Sequence, residues 1–414
     1  MKIAVFVDHF PSNTQTFVLH QILGIATSGH ELTILSRRKG KSNTAPSPLI
    51  KQHKLMERIV HLPPNPDTTL GKALTVLSSF KSFTGMFLLV RIVYLRVAQR
   101  GLGGNSFITW LSDALFLSHN KFRFDIVHAQ FGMLGAYAER LRHIGALNGK
   151  IITSFRGYDT IKHLNIYPGD YRFLVKNGDG FLPVCQYFKD WLIENNCSAS
   201  RIFVLRSGID LNSLSFKPSA FADQESSIEL IAIGRFVEKK GFEYLVDAIG
   251  ILAREKARNF HLSIVGDGPN KELLLNKIRN QGLEQHVSLV GLLTHSDLLQ
   301  KLAESHAILV PSITASDGDQ EGIPNVAKEA MALGTPVIAS RHSGTPELIT
   351  DKETGLLVPE RDADAIAKAL EYLIKNPNEV SAMRDRARHK VESEYDIRAL
   401  NADLIAYYEK IASR

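Results

Sequence analysis

Cysteine is scarce in this chain: 414 residues carry two, Cys185 and Cys197. Two cannot build a disulfide framework, and their spacing fits no metal knuckle. The histidines are scattered. His9, His128, His163, His295 and His342 show no H-x-x-x-H spacing, so zinc is not expected and none receives a ligand role. No run of eighteen apolar residues exists, so no membrane-crossing helix is expected; the nearest stretch, residues 85–90, ends at Arg91. The first residues turn polar after Val7. That is too short for the apolar core of a secretory signal and reads as a buried strand. The G-x-G-x-x-G fingerprint is missing, which disfavours an NAD-dependent dehydrogenase. Low-complexity segments are absent too, and with 44% hydrophobic and 22% charged residues the composition is that of an ordinary folded protein. A reduced, cytoplasmic protein is the expectation.

What is there is length and alternation. A chain of this size exceeds what one core usually holds, so two domains are expected. Strand-like runs come in two series: residues 2–7, 30–36, 125–131, 150–155 and 180–185, then 228–234, 261–266, 286–291, 306–311 and 335–340. Helical patterns separate them, such as residues 16–29, closed by a glycine, and residues 242–254, with Phe242, Leu245, Val246, Ile249 and Leu252 on one stripe. Near-continuous apolar strands alternating with helices imply parallel sheets covered on both faces. The expected fold class is α/β: two Rossmann-like doubly wound domains facing a central cleft. Residues 1–207 form the first, residues 208–395 the second, and residues 396–414 a last helix packing back on the first.

Charge divides unevenly. Residues 1–200 carry 23 basic and 12 acidic side chains, residues 201–414 carry 26 and 31. A basic first half suits an anionic lipid face or an anionic acceptor, with a plain solvated surface as the equal alternative. Residues 70–118 add Leu, Phe and Val mixed with Lys81, Arg91, Arg96 and Arg100.

The strongest chemical signal is Glu321-GIPNVAKE-Glu329. Pro324 stands where a helix would begin and Gly334 where it would end. The N–H groups of Gly322, Ile323, Asn325 and Val326 would then be free to receive a phosphate. Glu321 precedes this helix and Glu329 lies about 7–8 Å along it at 1.5 Å per residue. Two carboxylates would flank a bound diphosphate, one meeting sugar and the other ribose hydroxyls. A second signal is Gly234-RFVEKKG-Gly241, where Arg235 and Lys240 (or Lys239) would reach the same diphosphate. Cations there favour the charge that grows as a nucleotide diphosphate leaves. Third, Val265-GDGP-Pro269 places Gly266 where backbone can approach a nucleotide, and Gly291 follows another strand. All lie at strand carboxyl ends, where open α/β sheets bind ligands. Asp317-GD-Asp319 is a confounder, since an Asp-x-Asp pair can hold Mg²⁺ or Mn²⁺. It is read as a loop element with no metal.

On these motifs the sequence resembles glycosyltransferase family four, over nearly the whole chain and most densely over residues 228–360. Ser312-ITASDGDQEGIPN-Asn325 and Ser340-RHSGTPELI-Ile349 resemble in particular the colanic-acid and amylovoran-type exopolysaccharide enzymes. The resemblance implies that Arg235 and Lys240, beside Gly234, hold the donor diphosphate. It implies that Glu321 contacts the donor sugar and Glu329 the ribose. The backbone of Gly322–Val326 would receive the distal phosphate, and the loop after Gly291, with Leu292, would hold the base. The family as a rule retains anomeric configuration and needs no metal. In the first half, Phe10-PSNTQTF-Phe17 resembles an F-P-x-x-S-E-T-F stretch, putting Thr14, Gln15 and Thr16 toward the acceptor; Thr14 replaces Ser and Gln15 replaces Glu. Ser154-FRGYD-Asp159 resembles an H-G-Y-D segment with Arg156 in the histidine's place, and an arginine cannot serve as a base. In His128-AQFG-Gly132, Gln130 stands where relatives often carry a second histidine. Acceptor contacts are therefore expected from Thr14, Gln15, Thr16, His128, Gln130, Arg156 and Asp159, and catalysis from Arg235, Lys240, Glu321 and Arg156.

The resulting expectation is a retaining hexosyltransferase using a nucleotide sugar, UDP-hexose by family habit, as co-substrate, with no other cofactor. Its acceptor would be a saccharide or lipid-linked oligosaccharide of exopolysaccharide or cell-surface polysaccharide synthesis, met in peripheral contact with an anionic membrane; no nucleic acid is implied. A nucleotide-sugar epimerase, a sugar-phosphate-accepting synthase and a non-catalytic nucleotide-binding scaffold are the alternatives.

Overall fold

The computed structural model describes residues 1–12, 16–40, 48–64, 68–80, 83–98, 107–160, 168–218, 227–255 and 259–414. Strand β1 (Lys2–Phe10) shows why sheets form. Ile3, Val5 and Val7 pack on one face with Val18, Ile22 and Tyr408. Ala4 and Phe6 pack on the other with Leu35, Trp110 and Tyr137. A strand apolar on both sides can be satisfied only by helices above and below it. Each fully buried Val, Ile or Phe contributes about 1.5–3 kcal/mol.

Beside β1 lie β2 (Glu31–Lys39), β3 (Ile59–His61), β4 (Ile126–Ala129), β5 (Lys150–Phe155) and β6 (Gly180–Pro183), in the order β3-β2-β1-β4-β5-β6. A second sheet holds β7 (Ile228–Ile233), β8 (Phe260–Val265), β9 (Val287–Gly291), β10 (Ala307–Val310), β11 (Val337–Ser340) and β12 (Leu356–Val358), in the order β12-β11-β10-β7-β8-β9. Every pair of neighbouring strands in these two sheets is parallel. Read outward from its first strand, each sheet has the same doubly wound Rossmann order. The sequence reading found five strands in each series. The sixth, β3 and β12, is an edge strand of three residues, too short to show a periodic signal.

The chain forms two compact units. The first comprises Met1–Val184, Phe188–Leu205 and Leu400–Arg414, and the second Cys185–Tyr187 and Arg206–Ala399. The last helix, Ile397–Ala412, sends Leu404, Tyr408 and Ile411 into the first unit's core. Thr14, Gln15 and His163 lie outside the described residues.

In each sheet the connection changes direction between two central strands: β1 and β4 in the first unit, β7 and β10 in the second. The crevice outside those strand ends is where this topology receives ligands.

Candidate active site

The second unit's switch point is built by close backbone approach. Gly234 follows β7, and a Cβ there would meet Lys240 Cε at 2.8 Å, so the glycine lets the lysine stem cross the strand end. Gly266, after β8, lies against the Gly234 carbonyl, and a Cβ on Gly241 would strike the Pro311 carbonyl after β10. Gly241 also holds φ at +63°, a left-handed value that suits glycine. The loop after β7 is thereby clamped to the loop after β10. Ile313 N–H donates to the Lys239 carbonyl at 2.9 Å, and Glu238 accepts from the Ser316 N–H and hydroxyl at 2.9 and 2.7 Å.

Two ion pairs cross this clamp. Lys240 Nζ lies 2.7 Å from Glu321 Oε2, and Lys239 Nζ lies 2.9 Å from Asp319 Oδ1. Lys240 is thus the partner of Glu321, and Lys239 that of Asp319. Burial opposes the Glu321 charge, but Lys240 and then Lys239 outweigh it and hold the carboxyl below its ordinary range. Asp319 is engaged by Lys239, and Asp317 accepts the Asp319 N–H at 2.9 Å, closing the loop on itself. Among the described residues no group of three His, Cys, Asp or Glu is placed to hold a metal ion.

Glu321 leads into the helix Asn325–Leu333, which ends at Gly334 with φ +89°. Pro324 is the N-cap residue, one position earlier than the sequence reading placed it, and offers no side-chain cap. The first-turn N–H groups are therefore left for an outside acceptor. Gly322 and Pro324 are buried, while Ile323, Asn325 and Val326 are half-buried. Glu329, in the same helix, is half-buried too. Burial raises its carboxyl pKa, with His295 and Lys328 pulling it back in part. Arg235 is exposed. Leu292, just past β9, is 79% exposed.

One contact at Glu321 escaped the sequence reading. His342, set aside there as a lone histidine, is buried directly after β11. Its Nε2 accepts the Glu321 N–H at 3.2 Å, and its Nδ1 lies 2.6 Å from Glu360 Oε1. That arrangement ties the ring to the Glu321 backbone on one side and to the Glu360 carboxylate on the other. The available signal was its place at the same sheet edge as Gly234 and Pro311.

The first unit's switch point gathers the other expected residues. Arg156 Nη2 donates to Gln21 Oε1 and Gln130 Oε1, both at 2.9 Å, and its guanidinium lies 4.3 Å from the Phe17 ring centroid. Burial lowers the Arg156 pKa to about 10 against Asp159 and Tyr408, so it remains charged at neutral pH. Asp159 is fully buried and accepts the N–H groups of Gly132, Arg156 and Gly157 at 2.7, 2.9 and 3.0 Å. His128 is also fully buried, 2.6 Å from the Tyr408 hydroxyl and 2.8 Å from the Ser154 hydroxyl. Burial and then the Arg156 charge push it down to about 3, so it stays neutral. Gln130 is buried between His128 and Arg156. Thr16 starts the helix Thr16–Thr27 and is exposed.

Comparison with known proteins settles the lineage. The family described as Glycosyltransferase Family 4 matches residues 14–213, and that described as Glycosyl transferases group 1 matches residues 216–390. The colanic acid biosynthesis glycosyltransferase WcaL of Escherichia coli is 32% identical over 99% of this chain and 100% of its own length. The chain belongs to glycosyltransferase family 4. The amylovoran biosynthesis glycosyltransferase AmsK of Erwinia amylovora is 31% identical over the full length of both chains. Among solved structures, Anabaena HepE with UDP and glucose matches at TM-score 0.71, covering 99% of this chain and 100% of its own at 16% identity. Sucrose-phosphate synthase of Thermosynechococcus elongatus matches at TM-score 0.72, covering 100% and 99% at 19% identity. These likenesses show the two-Rossmann-domain fold expected from the sequence.

Proposed function

We propose that this family 4 enzyme transfers a hexose from a nucleotide diphosphate sugar to a growing saccharide of exopolysaccharide synthesis, with retention at the anomeric carbon. The observation that carries this reading is the Lys240–Glu321 pair, 2.7 Å long, at the switch point of the second sheet beside a helix start without a side-chain cap. A diphosphate laid on the first-turn amides meets Lys240 and, from the solvent side, Arg235. Glu321 accepts hydroxyls of the donor sugar, and Glu329 those of the ribose. The exposed Leu292 offers an apolar face for the base. The names of the relatives, colanic acid and amylovoran enzymes, support the exopolysaccharide setting, and the UDP held by HepE supports a uridine donor.

In this mechanism the bond from anomeric carbon to diphosphate oxygen breaks as charge passes to the phosphates. Arg235, Lys240 and the helix amides stabilise that charge more in the transition state than in the bound donor. The acceptor hydroxyl enters on the face the diphosphate leaves and gives its proton to the departing phosphate oxygen. His342 and Glu360 hold the Glu321 backbone in register. The acceptor falls to the first unit, a lipid-linked oligosaccharide in our reading, with Thr14, Gln15 and Thr16 toward it. Arg156 supplies a fixed positive charge in the place of the histidine of the H-G-Y-D segment it resembles, and Gln130, His128 and Asp159 act as its positioning frame.

The test is a nucleotide-sugar panel read by thermal shift and product analysis. A donor should raise the melting temperature, since only ligands that favour the native state do so. Lys240→Met should remove the shift, and the product should keep the donor's anomeric configuration by NMR. Transfer to a sugar phosphate, sugar isomerisation, or inversion would each refute the reading.

A further inference from the structure

The residues on either side of Cys185–Tyr187 belong to the first unit, yet these three belong to the second. Their contacts show why. A Cβ on Gly344 would meet Cys185 Cβ at 2.7 Å and Ile323 Cγ1 at 2.9 Å, so Cys185 packs where the loop after β11 approaches Ile323. Glu347, in the short helix Thr345–Leu348, accepts the N–H of Gln186 at 2.6 Å and that of Tyr187 at 3.2 Å. Its other oxygen lies 3.8 Å from Arg206 Nη2. A carboxylate that accepts backbone N–H groups forms strong, charge-assisted bonds. The Tyr187 backbone is thereby held, while the residue stands 38% exposed.

The Tyr187 hydroxyl reaches the loop after β10. Gln320 Nε2 donates to it at 3.2 Å and to Thr314 Oγ1 at 3.1 Å. Gln320 is 6% exposed, and its Oε1 is buried without a hydrogen-bond partner among the described residues. Two hydrogen bonds therefore orient this amide, and Tyr187 supplies one of them. Gln320 immediately precedes Glu321. On the far side, the Thr314 N–H donates to Glu360 Oε2 at 2.9 Å, Glu360 Oε1 meets His342 Nδ1 at 2.6 Å, and His342 Nε2 accepts the Glu321 N–H at 3.2 Å. The links run from Tyr187 through Gln320, Thr314, Glu360 and His342 to the Glu321 backbone. Supporting bonds of this kind keep a contacting side chain within about 0.5 Å of its productive place. A displacement of about 1 Å can cost on the order of 10²-fold in rate.

We infer that Tyr187 is a positioning residue of the donor-sugar site: its hydroxyl orients Gln320 and through it Glu321, and Glu347 sets Tyr187 in place. The inference rests on the reading of Glu321 as a contact to the donor sugar. Arg235, Glu329 and the amides of the helix start lie outside this chain of bonds, so nucleotide binding should not depend on Tyr187.

The test is titration calorimetry of the full-length protein with UDP and with UDP-glucose, UDP-galactose and UDP-N-acetylglucosamine. Tyr187→Phe removes one oxygen atom from a partly exposed side chain, so its melting temperature should match wild type. Its Kd for UDP should stay within about twofold, while the Kd of the UDP-sugar that wild type prefers should rise about five- to tenfold, the worth of one hydrogen bond. Glu347→Ala should give the same split between nucleotide and nucleotide sugar. Glu347→Gln, which keeps an acceptor for both N–H groups, should undo most of it. Equal weakening of UDP and UDP-sugar, or an unchanged Kd for every UDP-sugar, would overturn the inference. Glu321→Gln, titrated in parallel, separates the two readings. If it weakens the UDP-sugar and Tyr187→Phe does not, the role of Tyr187 falls and the donor-sugar reading stands. If it leaves the UDP-sugar Kd unchanged, the reading of Glu321 falls and the inference with it. Wild type that binds none of the four ligands would overturn the uridine donor and this inference together.

Discussion

At the carboxyl ends of β7 and β10, charged side chains stand in short pairs within reach of a ligand: Lys240 with Glu321, Lys239 with Asp319, and Arg235 in solvent. At the corresponding ends of β1, β4 and β5, the polar groups are sealed. His128, Gln130 and Asp159 are fully buried, and Arg156 is spanned by two glutamines and a phenylalanine ring. One strand order thus carries two kinds of site. The first holds its charges in ion pairs at the strand ends. The second spends its polar groups holding a loop in place. A substitution in the second unit should therefore act on chemistry, and one in the first mainly on stability.

Lys240→Met should show the largest effect. Loss of a charge aimed at a leaving group costs about 2.7–4 kcal/mol, or roughly 10²–10³ in rate. It also leaves Glu321 buried without its main cation, so stability should fall. In the double variant Lys240→Met/Glu321→Gln the melting temperature should recover while transfer stays lost. Recovery of transfer would remove Lys240 from the mechanism. Arg235→Ala isolates chemistry further. Because the side chain is exposed, its loss should leave stability within about 0.5 kcal/mol, while transfer falls by about 10²-fold. Equal rates for this variant and wild type would confine the diphosphate to Lys240 and the helix amides.

Arg156→Ala should reverse that pattern. Removing this half-buried cation leaves the Gln21 and Gln130 side-chain carbonyls and the Phe17 face without their partner, at a cost of about 1–3 kcal/mol. Urea unfolding followed through the first unit should show it. An unchanged midpoint would mean that Arg156 is free to meet substrate directly, and the contrast between the two switch points would collapse.

This contrast also explains what the sequence disclosed. Glycines at strand ends, paired cations and a Pro-led helix start are local and carry their chemistry in their spacing. In the second unit the strand ends at Gly234 and Gly291 and the helix start beside Pro324 were therefore legible. Contacts between distant segments left no such trace. Nothing local joins His342 to Glu321, Gln21 to Arg156, or His128 to Tyr408, which are 21, 135 and 280 residues apart. The strands β3 and β12 were missed because three residues hold less than two periods of alternation. The apolar stretch at residues 70–118 was visible as composition, but only the fold separates Leu88 and Ile92, which are buried, from Val90 and Val93, which are not.

The smallest expected effect is a difference of sign with pH. Glu321 is held below its ordinary range, so its pair with Lys240 stabilises the fold above the unfolded carboxyl pKa and weakens as acid titrates it. Asp113 in the first unit runs the other way. It is 2% exposed and accepts the Tyr137 hydroxyl, with Arg37 4.5 Å over that ring. Burial raises it to about 6, against the opposing pull of Tyr137 and Arg37. Between pH 4 and 6 the folded chain keeps a proton that the unfolded chain has released, so this contribution is complete below the unfolded value and lost as pH rises through about 6. At 1.36 kcal/mol per pKa unit the loss is roughly 2–3 kcal/mol. Asp113→Asn keeps the shape and removes the titration. Denaturation at closely spaced pH values should find the variant gaining on wild type by about that amount from pH 4 to 7. A constant gap across that range would mean the carboxyl is ionised throughout, with Arg37 rather than burial setting its state.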